Sequence, residues 1–315
     1  MSSAAERRTR LGVGGIIALT WVSLVLLLAV AGPLLPLPDP SRQAPCATKQ
    51  PKPETGPDGR PVEVDGRVRM VPQPGCSFQQ AADDRPGAQP SPAHAFGTDQ
   101  IGRDLLSRVV AGSRNVAIIA FGSVMTAIVI GGSIGMASAF VGGRVDQVVA
   151  GLSAATLAIP GIVLAIALVG AFGKTLFSVW LAITIGAIPI LVLVTRTQAA
   201  SLITREFVEA SRMLGAKPSR VLVREVMPNV APFALVFLGL GVALAIGAES
   251  GLAILGLAPD GSHTWGAIIA SGTSRISDAP HIALIPAAVM TTTIWAVNRL
   301  ADHVSARLGI RGSLL

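Results

Sequence analysis

The side chains of this chain that could perform acid–base, nucleophilic or metal chemistry are few and widely separated. Four histidines are present, at His94, His263, His281 and His303. Their separations do not fit the spacing of metal ligands, and no Ser-His-Asp or Cys-His arrangement can be argued from the sequence. The tripeptide Gly173-Lys174-Thr175 ends like a phosphate-binding loop, but Leu168 stands where that motif requires its first glycine. The sequence therefore predicts no catalytic residue, no metal site and no bound nucleotide.

One carboxylate is unusual because it lies inside an apolar stretch. Glu249 is flanked by Gly247 and Gly251 within the apolar run 231–257. A carboxylate at the centre of a bilayer costs roughly 3 kcal/mol on insertion scales unless it faces a partner or water. Glu249 is therefore expected to face a polar partner or water, and an interhelical hydrogen bond is one way to satisfy it.

Composition indicates the elements that must position these residues. Of the 315 residues, 51% are hydrophobic and 14% are charged, which is typical of a membrane protein. Apolar runs that approach the roughly 20 residues needed to cross a bilayer occupy 11–35, 116–141, 148–171, 176–194, 231–257 and 282–297, the last extending to 301 if the helix continues. We predict an all-α integral membrane protein with six transmembrane helices. The first run exceeds the ~7–15 residues of a signal-peptide core, so we expect an uncleaved anchor.

Basic residues predict the orientation of these helices. Lys and Arg concentrate in the N-terminal tail, near Arg144, in the segment 196–229 and at the C-terminal end, whereas the two short loops on the opposite side hold only Lys174 and Arg275. This asymmetry predicts a multi-pass protein of the plasma (cell inner) membrane with both termini in the cytoplasm. It also accounts for the net charge of +7, so we expect contact with membrane lipid and not with nucleic acid.

The segment 36–95 differs in character from the rest of the chain. It is rich in Pro, Gly, Asp and Arg and has no sustained period, so we expect much of this long extracytoplasmic loop to be irregular. It contains both cysteines of the chain, Cys46 and Cys76. In an oxidising compartment we expect them to form a disulfide, and two free thiols are the alternative.

A polar segment, 196–229, separates the fourth and fifth apolar runs and reads as two short helices. Thr204 can cap the first helix, whose apolar residues Phe207, Ala210 and Leu214 fall on one face. Gly215 can supply the left-handed position that ends it.

The second helix of this segment has its own boundary signals. Pro218 suits a first helical turn, and Pro228 is expected to stop the helix. A basic helix pair between membrane spans suits docking to another protein, and an ordinary amphipathic hairpin is the alternative.

The spacing in this segment resembles the EAA loop of ABC importer permeases. Glu209-Ala210-Ser211 is followed after three residues by Gly215 and later by Met227-Pro228. Ser211 replaces the second alanine of the family pattern, and Glu225 replaces its isoleucine. The resemblance implies a cytoplasmic loop of coupling helices that sits in a groove of an ATPase. It assigns this coupling to Glu206, Phe207, Glu209, Ala210, Ser211, Leu214, Gly215, Ala216, Arg220 and Pro228.

A second motif narrows the family. Thr98 or Asp99 can cap a helix with Ile101 and Leu105 on its apolar face, which would lie as an amphipathic helix at the outer membrane interface. The stretch also resembles the GTDxxGRD signature of the C-type permease subunit of dipeptide, oligopeptide and nickel importers. The matching residues are Gly97, Thr98, Asp99, Gly102, Arg103 and Asp104.

A third region, from Glu249 to Trp265 and Gly266, is similar to the E-x-x-LSFLGLG and WG elements of the same family. The resemblance implies that Glu249 faces the translocation pathway or a helix of the partner permease, and an interhelical hydrogen bond without a role in transport is the alternative. The chain departs from the family beyond Asp302. The resemblance thus implies a permease domain at 96–302, which includes the coupling loop. It is preceded by a cytoplasmic tail at 1–10, transmembrane helix 1 at 11–35 and the insertion at 36–95, and followed by a cytoplasmic tail at 303–315.

This resemblance implies a permease subunit of an ATP-driven importer of dipeptides or oligopeptides. Its implied partners are a homologous B-type permease, cytoplasmic ATPase subunits or one fused ATPase, and an extracytoplasmic substrate-binding protein. ATP and Mg would be bound by the ATPases, so the chain itself has no cofactor and is not an enzyme. The alternatives are a permease for nickel or another small solute and a membrane scaffold or receptor subunit without transport activity.

Overall fold

A computed structural model of the chain describes residues 12–42, residue 54, short backbone segments between 47 and 77, and residues 85–307. The helices of this part are α1 (Val13–Ala31), α2 (Leu105–Val141), α3 (Gly143–Leu157), α4 (Gly161–Phe172), α5 (Leu176–Ile203), α6 (Glu206–Met213), α7 (Pro218–Val221), α8 (Met227–Ile254), α9 (Trp265–Gly272) and α10 (His281–Arg307). Short 3₁₀ turns at Gly32–Leu34 and Thr273–Arg275 extend α1 and α9, and a π-helical segment, Leu222–Val226, joins α7 to α8.

Five helical stretches of the described residues are long and apolar enough to cross a membrane. They are Val13–Leu34, Leu105–Val141, Leu176–Ile203, Val236–Ile254 and His281–Arg307. Helices α3 and α4 pass the same test together, and they bring the number to six if the bent pair is one span. The predicted all-helical, multi-pass membrane fold is confirmed at this level.

The apolar run predicted as a span at 148–171 is interrupted at Pro160, where the proline was expected to break its continuity. The chain bends by 84° between α3 and α4. The break falls at Pro160, whose backbone is extended at ψ 124°. Proline disfavours helical geometry in the residue before it and cannot donate its own amide hydrogen bond, so the helix ends and a new one starts.

The predicted separate amphipathic helix capped by Thr98 or Asp99 is wrong. Helix α2 runs unbroken for 37 residues from Leu105 and includes the predicted second span. Its cap is Asp104, whose carboxylate accepts the amide hydrogen of Ser107 at 2.7 Å. Asp99 cannot cap a helix here because its own carboxylate accepts the amides of Ile101 and Arg103, which forms a turn instead.

Helix α2 lies at the centre of the described bundle and packs most extensively against α5. A Cβ atom on Gly131 would come within 2.7 Å of the Ile188 carbonyl oxygen, and one on Gly135 within 2.3 Å of the Val192 carbonyl oxygen. The Gly131 and Gly135 spacing therefore allows the two backbones to approach closely, as expected where lipid provides no hydrophobic drive for association.

The insertion contains paired backbone segments, in addition to the irregular structure that we predicted. Strand β1 (Ala47–Thr48) pairs with β6 (Cys76–Ser77), β2 (Lys52–Pro53) with β5 (Met70–Val71), and β3 (Glu63–Val64) with β4 (Arg67–Val68). All three pairs are antiparallel and nested within one another. Cys46 and the side chain of Cys76 lie outside the described residues, so the disulfide remains a prediction.

Candidate functional site

Helix α6 begins one residue later than the sequence predicted. Its cap is Arg205, which makes no capping hydrogen bond with its side chain. The predicted cap, Thr204, instead ends α5, and its hydroxyl group donates to the Ser201 carbonyl oxygen at 3.3 Å. A threonine hydroxyl that bonds back into the preceding helix is not available to the next one.

Gly215 ends α6 in the left-handed conformation, as predicted, with φ +80°. Its amide donates to the Arg212 carbonyl oxygen at 3.0 Å, and the Ala216 amide donates to the Ser211 carbonyl oxygen at 3.1 Å. These two bonds form a Schellman motif, which satisfies carbonyl groups that the helix end leaves unpaired. Glycine suits this turn between α6 and α7 because other residues are strained at this φ.

The second short helix starts as predicted, with Pro218 at its first position, but Pro228 does not stop it. The chain continues from α7 through the π-helical segment Leu222–Val226 into α8, where Pro228 lies in the first turn. Proline lacks an amide hydrogen and crowds the carbonyl group four residues earlier. The π-helical segment before Pro228 has a different hydrogen-bond pattern, so the chain accommodates the proline without ending the helix. The second short helix and the following span are therefore one continuous element.

The helix pair is anchored to the bundle by a small apolar cluster. Val208 of α6 and Val221 of α7 are completely buried, together with Ala199 of α5. Met136 and Phe140, near the end of α2, pack against this cluster. The guanidinium group of Arg212 also lies 5.2 Å from the centre of the Phe140 ring, a distance typical of a cation–π contact.

The face that the sequence identified as apolar points away from this anchor. Leu214 is 88% exposed, Met213 is 81% exposed and Phe207 is 40% exposed. Exposed charged side chains surround them at Glu206, Glu209, Arg212, Lys217 and Arg220. We call the exposed residues 206, 207, 209, 210, 213, 214 and 220 the outer α6–α7 face. The described part of the chain leaves this mixed apolar and charged face uncovered, as is common for a surface that binds a partner.

An ion pair at the same end of the bundle was not predicted. The Arg196 guanidinium donates from Nε and Nη2 to the two carboxylate oxygens of Asp146, at 2.5 Å each. This bidentate contact joins α5, just before the helix pair, to the first turn of α3. The sequence pattern identifies Arg196 only as one of several cytoplasmic positive charges. The ion pair could have been anticipated from the sequence because Asp146 and Arg196 lie at the same predicted membrane face.

The signature residues gather at the opposite end of the bundle. Asp99 is completely buried and accepts hydrogen bonds from the amides of Ile101 and Arg103, both at 2.9 Å. Its second oxygen accepts from the Arg103 guanidinium at 2.7 Å and also from that of Arg108. One buried carboxylate thus holds the loop onto the first turns of α2.

The rest of the signature closes this loop around α10. A Cβ atom on Gly97 would lie 2.4 Å from the Ala88 carbonyl oxygen and 2.9 Å from His281 Nε2 of α10. Thr98 is buried, and its hydroxyl oxygen accepts the Ala88 amide at 2.9 Å. Asp104 Oδ1 lies 2.8 Å from His94 Nδ1. Gly102, like Gly97, has a positive φ, of 80°.

Glu249 lies at the same end, against α9. Its side chain is 2% exposed and is directed towards Thr264, Ser250 and the Gly266 amide, although neither carboxylate oxygen makes a contact with hydrogen-bond geometry to a described residue. A Cβ atom on Gly266 would lie 2.9 Å from Glu249 Oε2, which explains why glycine suits this position. The carboxylate thus lies at the N-terminus of α9, where the helix dipole favours negative charge.

Trp265 connects α9 to α2. Its side chain is 1% exposed, and its indole Nε1 donates to the Val109 carbonyl oxygen at 2.9 Å. The predicted site residues therefore form two separate groups, with the outer α6–α7 face at one end of the bundle and the signature residues at the other.

These features define a multi-pass membrane subunit with a protruding, anchored helix pair. Residues 127–310 match the family described as "Binding-protein-dependent transport system inner membrane component". The chain belongs to this family, and the resemblance predicted from the motifs is confirmed.

Relatives of the chain are named as peptide transport proteins. It is 34% identical to the probable D,D-dipeptide transport system permease protein DdpC of Escherichia coli, over 68% of this chain and 72% of the relative. It is 33% identical to the oligopeptide transport system permease protein OppC of Bacillus subtilis, over 68% and 70%. It is 31% identical to the glutathione transport system permease protein GsiD of Pectobacterium atrosepticum, over 70% and 73%.

Proposed function

We propose that this chain is a permease subunit of an ATP-driven importer of peptides, and that its outer α6–α7 face couples it to cytoplasmic ATPase subunits. The observation that carries the proposal is the uncovered apolar and charged face of a helix pair that is rigidly anchored to the bundle. The peptide substrate is supported by the names of the relatives. ATP and Mg would be held by the ATPases, and this chain contributes movement rather than hydrolysis.

The connections of the helix pair support a route for that movement. Helix α7 continues into α8, so displacement of the pair when the ATPases close moves a membrane span directly. Helix α5, which leads into the pair, is joined to α3 by the Arg196–Asp146 ion pair, so the same displacement reaches α3 through α5. The signature loop and Trp265 hold the opposite ends of α2, α9 and α10 together, and these restraints favour rigid-body tilting of the helices between two states of access.

A second permease is the expected partner within the membrane. Helices α2, α4, α5 and α8 border a groove of about 410 Å³ lined by apolar residues such as Ile183, Phe237 and Leu244. Leu240 and Leu244 of α8 are 48% and 62% exposed in the chain. We propose that a homologous B-type permease covers this side and that a substrate-binding protein docks at the end with the signature loop. In this arrangement both termini are cytoplasmic.

Uptake by the complete transporter tests the substrate class. We expect vesicles that contain the assembled complex and its binding protein to accumulate labelled di- or oligopeptides in an ATP-dependent manner. Accumulation of nickel without any peptide uptake would contradict this assignment. The pathway role of Glu249 remains a prediction that the same vesicles test, because Glu249→Gln should then lower the uptake rate while the complex still assembles. Unchanged uptake would limit Glu249 to the packing of α9.

A further inference from the structure

A cavity of about 430 Å³ lies between the end of α1 and the start of α2, far from the outer α6–α7 face. Leu28, Gly32 and Asp39 line it from α1 and the segment that follows. Ser107, Val110, Arg114 and Asn115 line it from α2, and His263 lines it from the loop before α9. Apolar side chains thus form one part of the wall, and groups of both charges form the other.

The two charges of the cavity lie at different depths. A Cβ atom on Gly32 would lie 3.1 Å from Val110 Cγ1, so these two residues are at the same level of the antiparallel helices α1 and α2. Arg114 is four residues further along α2, which is about 6 Å deeper into the apolar region at the helical rise per residue. Asp39 lies beyond the helical end of α1. The backbone of Arg114 is therefore on the membrane side of the cavity and that of Asp39 on the outer side.

The cavity contains an ionised carboxylate and a neutral histidine ring. The Ser41 amide donates to Asp39 at 2.8 Å, and this bond lowers the pKa of the Asp39 carboxyl, so it is ionised near neutral pH. Burial and the positive charges of Arg108 and Arg103 lower the pKa of His263, so its ring is neutral. His263 Nδ1 is buried and has no hydrogen-bond partner among the described residues.

An uncovered apolar strip continues from the cavity along α1. Leu24 and Leu27 are 45% and 60% exposed. Leu24 lies four residues before Leu28 of the cavity wall and three before Leu27, and residues three or four apart are neighbours on a helix surface. Leu24 therefore connects Leu27 to the cavity. A ligand that fills the cavity and follows this strip must be amphipathic.

We propose that this cavity binds the headgroup of a phosphatidylethanolamine lipid. The phosphate pairs with Arg114, the ammonium group donates to Asp39, and an acyl chain lies along the strip that contains Leu24 and Leu27. The order of charges in the lipid, with the phosphate nearer the acyl chains and the ammonium further out, matches the order of Arg114 and Asp39. Phosphatidylglycerol has no cation for Asp39. Phosphatidylcholine has one, but it lacks an N–H donor.

Native mass spectrometry of the full chain, released from vesicles of defined composition, tests this assignment. Vesicles contain equal amounts of phosphatidylethanolamine, phosphatidylglycerol and phosphatidylcholine, and the retained lipid is counted per chain. We expect preferential retention of phosphatidylethanolamine. Asp39→Asn should reduce its preference over phosphatidylglycerol about tenfold, and Arg114→Gln should reduce retention of all three lipids by a similar factor, as expected for losing a hydrogen bond to a charged group.

Matched controls lie in another loop at the same end of the protein. Asp278→Asn and Arg275→Gln remove the same charges from exposed positions outside the cavity, and we expect both to retain lipid like the wild type. Equal retention of the three lipids by the wild type, or unchanged preference in Asp39→Asn, would overturn the proposal. Displacement of the lipid by a water-soluble dipeptide would also overturn it, because the cavity would then bind a soluble zwitterion.

Discussion

Single residues set the geometry at both ends of this protein. Gly215 holds the turn between α6 and α7 at φ +80°, and open space surrounds the position where its Cβ would be. A substitution there acts through backbone strain and not through a clash. Asp99 acts differently, because it is a buried charge whose partners, Arg103 and Arg108, depend on it.

Replacing Gly215 should therefore change the turn without unfolding the bundle. We expect Gly215→Ala to strain the turn by about 1–2 kcal/mol and to reduce ATPase binding, with little change in the thermal stability of the chain. Gly215→Asn should bind nearly as well as the wild type, because asparagine tolerates this conformation better. Equal binding by the Ala and Asn variants, both at the wild-type level, would show that the turn does not position the docking face.

Removal of the buried Asp99 carboxylate should lower the thermal stability of the chain, in contrast to the replacement of Gly215. Asp99→Asn leaves Arg108 buried without its counter-charge, and breaking such a pair costs about 3–5 kcal/mol. We expect a clear decrease in the thermal unfolding temperature of the purified chain. Asp278→Asn, in an exposed loop, is the control and should be neutral. An unfolding temperature unchanged by Asp99→Asn would mean that the signature loop does not secure α2.

At the scale of elements, the helix pair is coupled to two membrane helices by different means. It reaches α8 through a continuous backbone, and it reaches α3 through α5, which precedes it and carries the Arg196–Asp146 ion pair. Arg196 and Asp146 are 31% and 20% exposed, so the pair is partly shielded from water. Such a contact can position an element without dominating its stability.

The ion pair is expected to matter for coupling more than for folding. We predict that Arg196→Gln and Asp146→Asn each lower peptide uptake per ATP hydrolysed severalfold, while ATPase binding persists. The charge-swapped double variant, Arg196→Asp with Asp146→Arg, should recover part of this ratio. If the single variants leave the ratio of uptake to hydrolysis unchanged, the ion pair is a surface contact with no role in coupling.

Element boundaries show what sequence can predict here. The left-handed Gly215 and the start at Pro218 were predicted because each depends on one residue's own backbone preference. The start of α2 and the continuation past Pro228 were not. They depend on which of two competing groups caps a helix and on whether neighbouring turns can adapt to a proline. The Arg196–Asp146 pair joins residues 50 positions apart, and local pattern alone cannot specify such a contact.

At the scale of the whole molecule, the two groups of predicted site residues lie at opposite ends of the bundle. Motif similarity predicted the family correctly. It did not reveal that the apolar face of Phe207 and Leu214 points outwards, because periodicity identifies a face without saying whether this chain or a partner covers it. The anchoring role of Val208 became clear only from its burial in the folded bundle.

Binding of the ATPase to the outer α6–α7 face is the central claim, and co-purification of the two subunits tests it most directly. The variant Leu214→Asp places a charge at the most exposed apolar position of that face, and Ile276→Asp makes the same kind of change in the loop at the opposite end, where Ile276 is 48% exposed. We predict that the ATPase remains with the wild type and with Ile276→Asp, and that its retention falls at least about tenfold with Leu214→Asp, as for truncation of a central interface residue. Equal retention by all three proteins would contradict the account.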